Sequence, residues 1–308
     1  MASTPALQIE TSTQPPLLAT LRAALPCFWA LTKPEVNVLI VVATFTGFYL
    51  GYVGDLHAFP FERLFNTLWG TLLVASGTGT LNQYLEWRFD ARMRRTCRRP
   101  LAAAKLRPAT ALWFGISLST MGAAYLFAMV NVLASALAVF SLTSYLFVYT
   151  PLKRKTPLCT LAGAVPGAMP PLIGCAASLS SIIDAKAWIL YAVLFLWQFP
   201  HFMAITWIYR EDYARADYLV LPAQNEQRFM TWLTGAPSLA LVLLSLAAVA
   251  SNRGGAFTYI ATVILGSGLL YYASRQILLR SRIAARELLK ATIVYLPLEF
   301  LILVLGKA

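Results

Sequence analysis

Asn82, Glu86 and Asp90 stand four residues apart, so on a helix they fall along one stripe. A carboxamide and two carboxylates are oxygen ligands, suited to Mg²⁺, a hard cation that often also takes substrate phosphate oxygens. Arg92, Arg94, Arg95, Arg98 and Arg99 follow at once, and guanidinium groups grip phosphate with paired hydrogen bonds. Arginines at a membrane edge also serve simply as topology signals. The acids are harder to dismiss, because carboxylates beside an apolar span are costly.

Three further groups could join them. Glu211, Asp212 and Asp217 lie within Tyr209–Tyr218. Lys153, Arg154 and Lys155 form a basic loop. Acids holding a metal, with cations alongside, could stabilise a diphosphate as a leaving group. The run Trp197-Gln198-Phe199-Pro200-His201-Phe202 contains one of only two histidines. Trp197 and His201 share a helix face. An intramembrane histidine is either a packing residue or a ligand of the kind that binds haem iron. His57, in a poorly charged loop, reads as surface.

The elements that must position these groups are membrane spans. Of the 308 residues, 58% are hydrophobic and only 12% charged, about half the charge of an ordinary soluble domain. The four cysteines, Cys27, Cys97, Cys159 and Cys175, form no Cys-x-x-Cys pair. Disorder, a disulfide scaffold and a soluble nucleic-acid binder are excluded. Stretches near 20 apolar residues, enough to cross a bilayer as helices, occur at about 36–54, 65–85, 109–129, 132–149, 158–179, 187–208, 231–250, 256–274 and 291–306. The expected fold is an all-α polytopic membrane protein of nine transmembrane helices. Asn131 should hinge a tight hairpin, and Pro166, Pro170 and Pro171 should break the fifth span, either for packing or to line a polar cavity. Residues 1–25, rich in Ser, Thr, Pro and Gln and without a removable address, read as a disordered tail before one membrane domain, 26–308.

With nine spans, every Lys and Arg except Arg63, Lys186, Arg253 and Lys307 falls on one side. The positive-inside rule then places the N-terminus in the cytoplasm and the C-terminus outside. The outer acids Asp55, Glu62, Asp184 and Glu299 balance those four bases, so the net charge of +12 belongs to the cytoplasmic face. Both acidic groups lie on that same face.

Three blocks resemble the UbiA-type intramembrane prenyltransferases, which attach an isoprenoid from its diphosphate to an acceptor. They are Asn82…Glu86…Asp90 with Arg95, Arg98 and Arg99; Tyr149…Lys153-Arg154 with the Gly163–Gly174 segment; and Trp197-Gln198…Pro200-His201-Phe202…Asp212. The third block points to the branch that farnesylates haem. The resemblance implies a helical bundle with a central cavity capped by cytoplasmic loops. It makes Asn82, Glu86, Asp90 and Asp212 the catalytic Mg²⁺ ligands, with Arg95, Arg98, Arg99, Lys153 and Arg154 on the diphosphate. Trp197 and His201 become the haem-binding residues. It further implies farnesyl diphosphate and haem b as substrates in a bacterial inner membrane, and haem A synthase or oxidase assembly factors as partners. Gln83 stands where many relatives carry an extra acid, and Asp217, where a neutral residue is usual, reads as exposed.

On this reading Tyr84, Trp87 and Trp197 could stabilise an allylic cation through their ring faces, although interfacial belts use the same residues. Prenylation of a quinone precursor is the alternative within the class. A transporter is the alternative outside it, but transporter sites lie near the midplane. There the only acid deep in a span is Glu299.

Overall fold

A computed structural model describes residues 17–179, 184–221, 225–251 and 255–307. The helices are α1 (Leu17–Leu31), α2 (Pro34–Gly51), α3 (Phe61–Asp90), α4 (Pro108–Met129) and α5 (Val132–Thr143). A π-helical turn (Ser144–Tyr149) and the short α6 (Thr150–Leu152) prolong α5. Then follow α7 (Cys159–Gly167), α8 (Met169–Leu179), α9 (Ala185–Ile208), α10 (Arg210–Arg215), α11 (Glu226–Ser251), α12 (Ala256–Leu279) and α13 (Arg282–Leu305).

Local chemistry sets several of these boundaries. Pro34 and Pro108 open α2 and α4 at their first position, where a missing N–H costs no helical bond. Asn131 makes the expected hairpin. Its Oδ1 accepts the Ala134 N–H at 2.7 Å, capping α5, and its Nδ2 donates to the Ala176 carbonyl at 2.8 Å. Helix α1 starts at Leu17, inside the stretch read as a tail, because Leu17, Leu18 and Leu21 begin an apolar run there. Residues 1–16 lie outside the described residues.

Among the described residues, eight helical stretches are long and apolar enough to cross a membrane. The predicted span 65–85 falls on α3, which is not one of them. The buried residues of α3 include Asn66, Thr67, Thr71, Ser76, Thr80, Asn82 and Gln83. A protein-facing side this polar lowers the apolarity of α3 averaged along its length. The outward surfaces show the opposite pattern to a soluble protein: Trp113, Phe127, Phe147, Phe257, Ile264 and Leu278 are all exposed, as helices facing lipid require.

The fifth span is interrupted at Ala168, between α7 and α8. Pro170 removes the N–H that would bond the Pro166 carbonyl, and Ser141 Oγ donates to that carbonyl instead at 3.0 Å. Helix α8 is buried along nearly its whole length. At its crossing with α2, a Cβ on Gly47 would overlap the Pro171 carbonyl, and one on Gly174 the Thr44 carbonyl. Close backbone packing of this kind is what small residues allow between membrane helices.

The apolar interior has three parts. The main core joins α2, α8, α9, α11 and α13 around Phe48, Leu172, Trp197, Leu241 and Tyr295. A second cluster gathers Leu31, Leu101 and Ala111 with Phe28, Tyr84 and Trp87. A third, of Met93, Ala216 and Tyr218 with Phe89 and Tyr213, ties loops together at one end of the bundle. Other contacts at that end agree: Leu219 N donates to the Lys153 carbonyl at 2.7 Å, Arg92 pairs with Asp217 at 2.7 Å, and Arg282 with Glu211 at 3.2 Å. The loops that carry the basic residues therefore form one cap. At the opposite end, Lys307 Nζ donates to the carbonyls of Tyr49 and Tyr52 at 2.5 and 2.7 Å, satisfying the end of α2.

Candidate active site

Helix α3 continues to Asp90, so the Asn82–Glu86–Asp90 stripe forms as its spacing predicts. All three residues are buried. A charged group survives burial when it is paired and hydrogen-bonded, and each of the three, the two acids and the neutral Asn82, is met by a basic side chain from a different element. Lys33 Nζ donates to Asn82 Oδ1 at 2.7 Å. Lys153 Nζ donates to both Glu86 oxygens, at 2.8 and 3.1 Å. Arg99 Nη1 donates to Asp90 Oδ2 at 2.8 Å. Asn82 Nδ2 also donates to Thr150 Oγ1 at 3.3 Å.

In the sequence Lys33 reads only as one of the charges that set topology. It occupies a left-handed backbone conformation, φ 54° and ψ 60°, directly before Pro34. Such a conformation in a residue with a side chain is unusual, and here it accompanies a lysine that reaches across to α3. Burial and then the neighbouring Arg99 charge lower the Lys33 ammonium to about 7. Lys153 behaves differently. Burial works to lower it, but Glu86 and then the surrounding tyrosines hold it well above the ordinary lysine value.

The second acidic group divides. Asp212 is buried; its Oδ2 accepts the Arg95 backbone N–H at 3.1 Å, and its Oδ1 pairs with Arg215 at 3.1 Å. The two acidic motifs therefore meet through the loop after α3. Glu211 and Asp217 stay exposed, and Asp217 is a surface acid paired with Arg92.

The basic residues also sort themselves. Arg99 and Lys153 are in the site. The Arg95 guanidinium lies 4.9 Å from the Tyr209 ring centre, and that of exposed Arg154 lies 4.7 Å from Phe89. Arg98 is exposed and has no ion-pair partner among the described residues. Tyr84 and Trp87 belong to the cluster with Phe28 and Leu31, not to an aromatic wall around the acids. The aromatic groups beside Lys153 are Tyr149, 4.5 Å from the ammonium, and Tyr218, 5.9 Å away; Tyr145 packs on Tyr149 at 4.9 Å between ring centres. The pair Tyr145 and Tyr149, four residues apart and just before the basic loop, was a readable signal. Gln83 points elsewhere, donating to the carbonyls of Ala30 and Leu31 at 3.0 and 3.1 Å.

His201 and Trp197 sit deeper, on α9. Their rings stack at 4.5 Å with 23° between planes. Trp197 Nε1 donates to the Thr292 carbonyl at 2.7 Å, and His201 Nδ1 lies 2.9 Å from Thr292 Oγ1. Both side chains are thereby fixed to α13.

Among the described residues, no three Asp, Glu, His or Cys side chains converge as a self-sufficient metal site. The donors nevertheless suit Mg²⁺, which typically uses one or two carboxylates and completes its shell with water and phosphate oxygens. Glu86, Asp90 and Asp212 are carboxylates of that type, each already in contact with a cation or an N–H. The surrounding lysines and arginines supply what a polyanionic substrate needs.

Residues 39–296 match the UbiA prenyltransferase family. A protoheme IX farnesyltransferase from Solibacter usitatus (strain Ellin6076) is 39% identical over 284 residues, covering 90% of this chain and 97% of that protein. Among solved structures, one described as digeranylgeranylglyceryl phosphate synthase in membranes superposes with a TM-score of 0.70 at 15% identity, covering 92% of this chain and 98% of its own. A UbiA homologue from Archaeoglobus fulgidus bound to DMAPP and Mg²⁺ gives a TM-score of 0.59 at 12% identity, covering 90% and 98%. These two likenesses speak to the fold.

Proposed function

The chain belongs to the UbiA prenyltransferase family, and from that premise we propose that it transfers farnesyl from farnesyl diphosphate to a vinyl group of haem b, giving haem o. The observation that carries prenyl transfer is the buried Asn82–Glu86–Asp90 face, answered by Lys33, Lys153 and Arg99. The haem acceptor is supported by the Solibacter usitatus relative and by the Trp197–His201 stack. The protein is a multi-pass membrane enzyme, and residues 26–308 act as one domain. The basic cap faces the cytoplasm of a bacterial inner membrane, where the anionic substrate is found. Haem A synthase or an oxidase assembly factor would receive the product.

Asn82, Glu86, Asp90 and Asp212 would hold Mg²⁺, which when bound neutralises charge developing on the diphosphate. Lys153 and Arg99 add fixed positive charge, and an approaching diphosphate favours the charged form of Lys33. Arg95, Arg98 and Arg154 on the cap surface draw the anion in. The allylic C–O bond breaks and its electron pair leaves with diphosphate. The vinyl double bond supplies the pair for the new C–C bond, water captures the resulting cation, and its proton is released. Tyr149 and Tyr218 present ring faces beside the site, suited to a developing allylic cation. An apolar interior under the cap would hold the farnesyl tail and keep water from the first cation.

Membranes containing the protein, incubated with farnesyl diphosphate, Mg²⁺ and haem b, should yield haem with a farnesyl group and one water added by mass spectrometry. Unmodified haem, with a prenyl group instead on a hydroxybenzoate or naphthoate, would transfer the assignment to quinone-precursor chemistry.

A further inference from the structure

Thr292 lies on α13, 91 residues from His201 and outside every motif read from the sequence. Its side chain is fully buried. Its hydroxyl has two neighbours at hydrogen-bond distance: the Leu289 carbonyl at 2.7 Å and His201 Nδ1 at 2.9 Å. The hydroxyl carries one proton. A carbonyl oxygen can only accept, so a contact of 2.7 Å requires the threonine proton to lie between Oγ1 and Leu289 O. This is the usual back-bond of threonine within a helix. Oγ1 is then left as an acceptor towards His201, and Nδ1 must donate. The opposite assignment, Oγ1 donating to a bare Nδ1, would press two unprotonated oxygens together at 2.7 Å.

A neutral imidazole with its proton on Nδ1 carries its lone pair on Nε2. Nε2 has no partner among the described residues and is not among the atoms buried without one. The Trp197 ring covers one face of the imidazole. The same Trp197 is anchored by its indole N–H to the Thr292 carbonyl. One residue of α13 thus fixes both members of the stack, one by its backbone and one by its side chain.

We propose that Thr292 is a positioning residue that holds His201 in the Nδ1–H tautomer, leaving the Nε2 lone pair free for an iron-porphyrin acceptor. Second-shell hydrogen bonds of this kind commonly set which nitrogen of a histidine is available to a metal. The tautomer follows from the contacts alone; the ligand it serves rests on the proposed haem reading.

The chain has only two histidines, so ¹⁵N-histidine labelling gives two imidazoles to resolve, and His57→Gln assigns them. In the metal-free protein, His201 should show a protonated Nδ1 and an unprotonated Nε2. Thr292→Ser should keep that pattern, because the hydroxyl remains. Thr292→Val, similar in shape, should lose it and populate Nε2–H. Haem titrations followed by Soret absorption should show affinity falling about tenfold in Thr292→Val, the lower end of what second-shell changes cost a metal site, and recovering in Thr292→Ser. A wild-type Nε2–H signal, or an unchanged pattern in Thr292→Val, overturns the tautomer assignment. Haem titration of His201→Ala tests the ligand separately. Unchanged binding there removes the haem role of His201 while the nitrogen signals still decide the role of Thr292.

Discussion

The two acidic motifs look alike in sequence and differ in the fold. On α3 the acids are enclosed: the Glu86 and Asp90 side chains are 7% and 2% exposed, and each is paired with a cation from elsewhere in the chain. Around α10 only Asp212 is enclosed, at 8%, while Glu211 and Asp217 are 59% and 72% exposed. Charge alone therefore does not separate the two motifs. Enclosure with a partner from another element does, because an acid held there must be stabilised.

The largest break in that comparison should come from Glu86→Gln. Loss of a preorganised charge in such a site typically costs about 10²–10³-fold in turnover, read as farnesylated haem formed per minute. It also strands the Lys153 ammonium, and breaking a buried pair costs about 3–5 kcal/mol, so the melting temperature in detergent should fall. Glu86→Gln with Lys153→Met should regain stability without regaining turnover. Activity restored in that double variant would remove both Glu86 and Lys153 from the chemistry and leave them a structural pair.

Asp212→Asn should come next, losing about 10²-fold in turnover by the same argument with little change in melting. The amide oxygen can still accept the Arg95 N–H. A variant that turns over normally would reduce the second motif to cap structure.

The arginine pair gives a finer contrast. Arg99→Ala removes the partner of Asp90 and should cost about tenfold or more in kcat/KM, since a hydrogen bond to a charged group contributes about 1.5–3 kcal/mol. Arg98→Ala, one residue away and exposed, should stay within about twofold, in the range of surface charges. Equal effects would mean that the cluster acts as a diffuse field and not through Arg99. Smallest of all, Asp217→Asn should change turnover by less than about twofold, because its pair with Arg92 is a surface one. A tenfold loss would place Asp217 within the site.

Much of this was legible in the sequence where the signal was local. The Asn82–Glu86–Asp90 spacing, the Asn131 hairpin and the proline break each depend on neighbours in the chain, and each is present. Tyr84 and Trp87 show local geometry used incompletely. At 3.6 residues per turn they stand roughly 140–200° around α3 from Asn82, which is why they pack towards Leu31. Lys33 and Thr292 were hidden for another reason. Their roles arise only when distant helices pack, and Lys33 also depends on a left-handed backbone that no charge pattern announces. The polarity of α3 was visible, but its meaning was not: a helix lined by protein tolerates hydroxyls and amides that a lipid-facing one does not.

The cap contacts also set a timetable for the nascent chain. The backbone bond from Leu219 to Lys153 and that from Arg95 to Asp212 draw on three loops emerging from the ribosome in turn. At about 5–20 residues per second, the stretch from Asp90 to Leu219 takes several seconds or more to synthesise. Through that interval the α3 acids stand without Lys153 and then without Asp212. The cap is thus completed only after α9 has been threaded, and on the proposed function a partly inserted chain has no finished site with which to capture a reactive diphosphate.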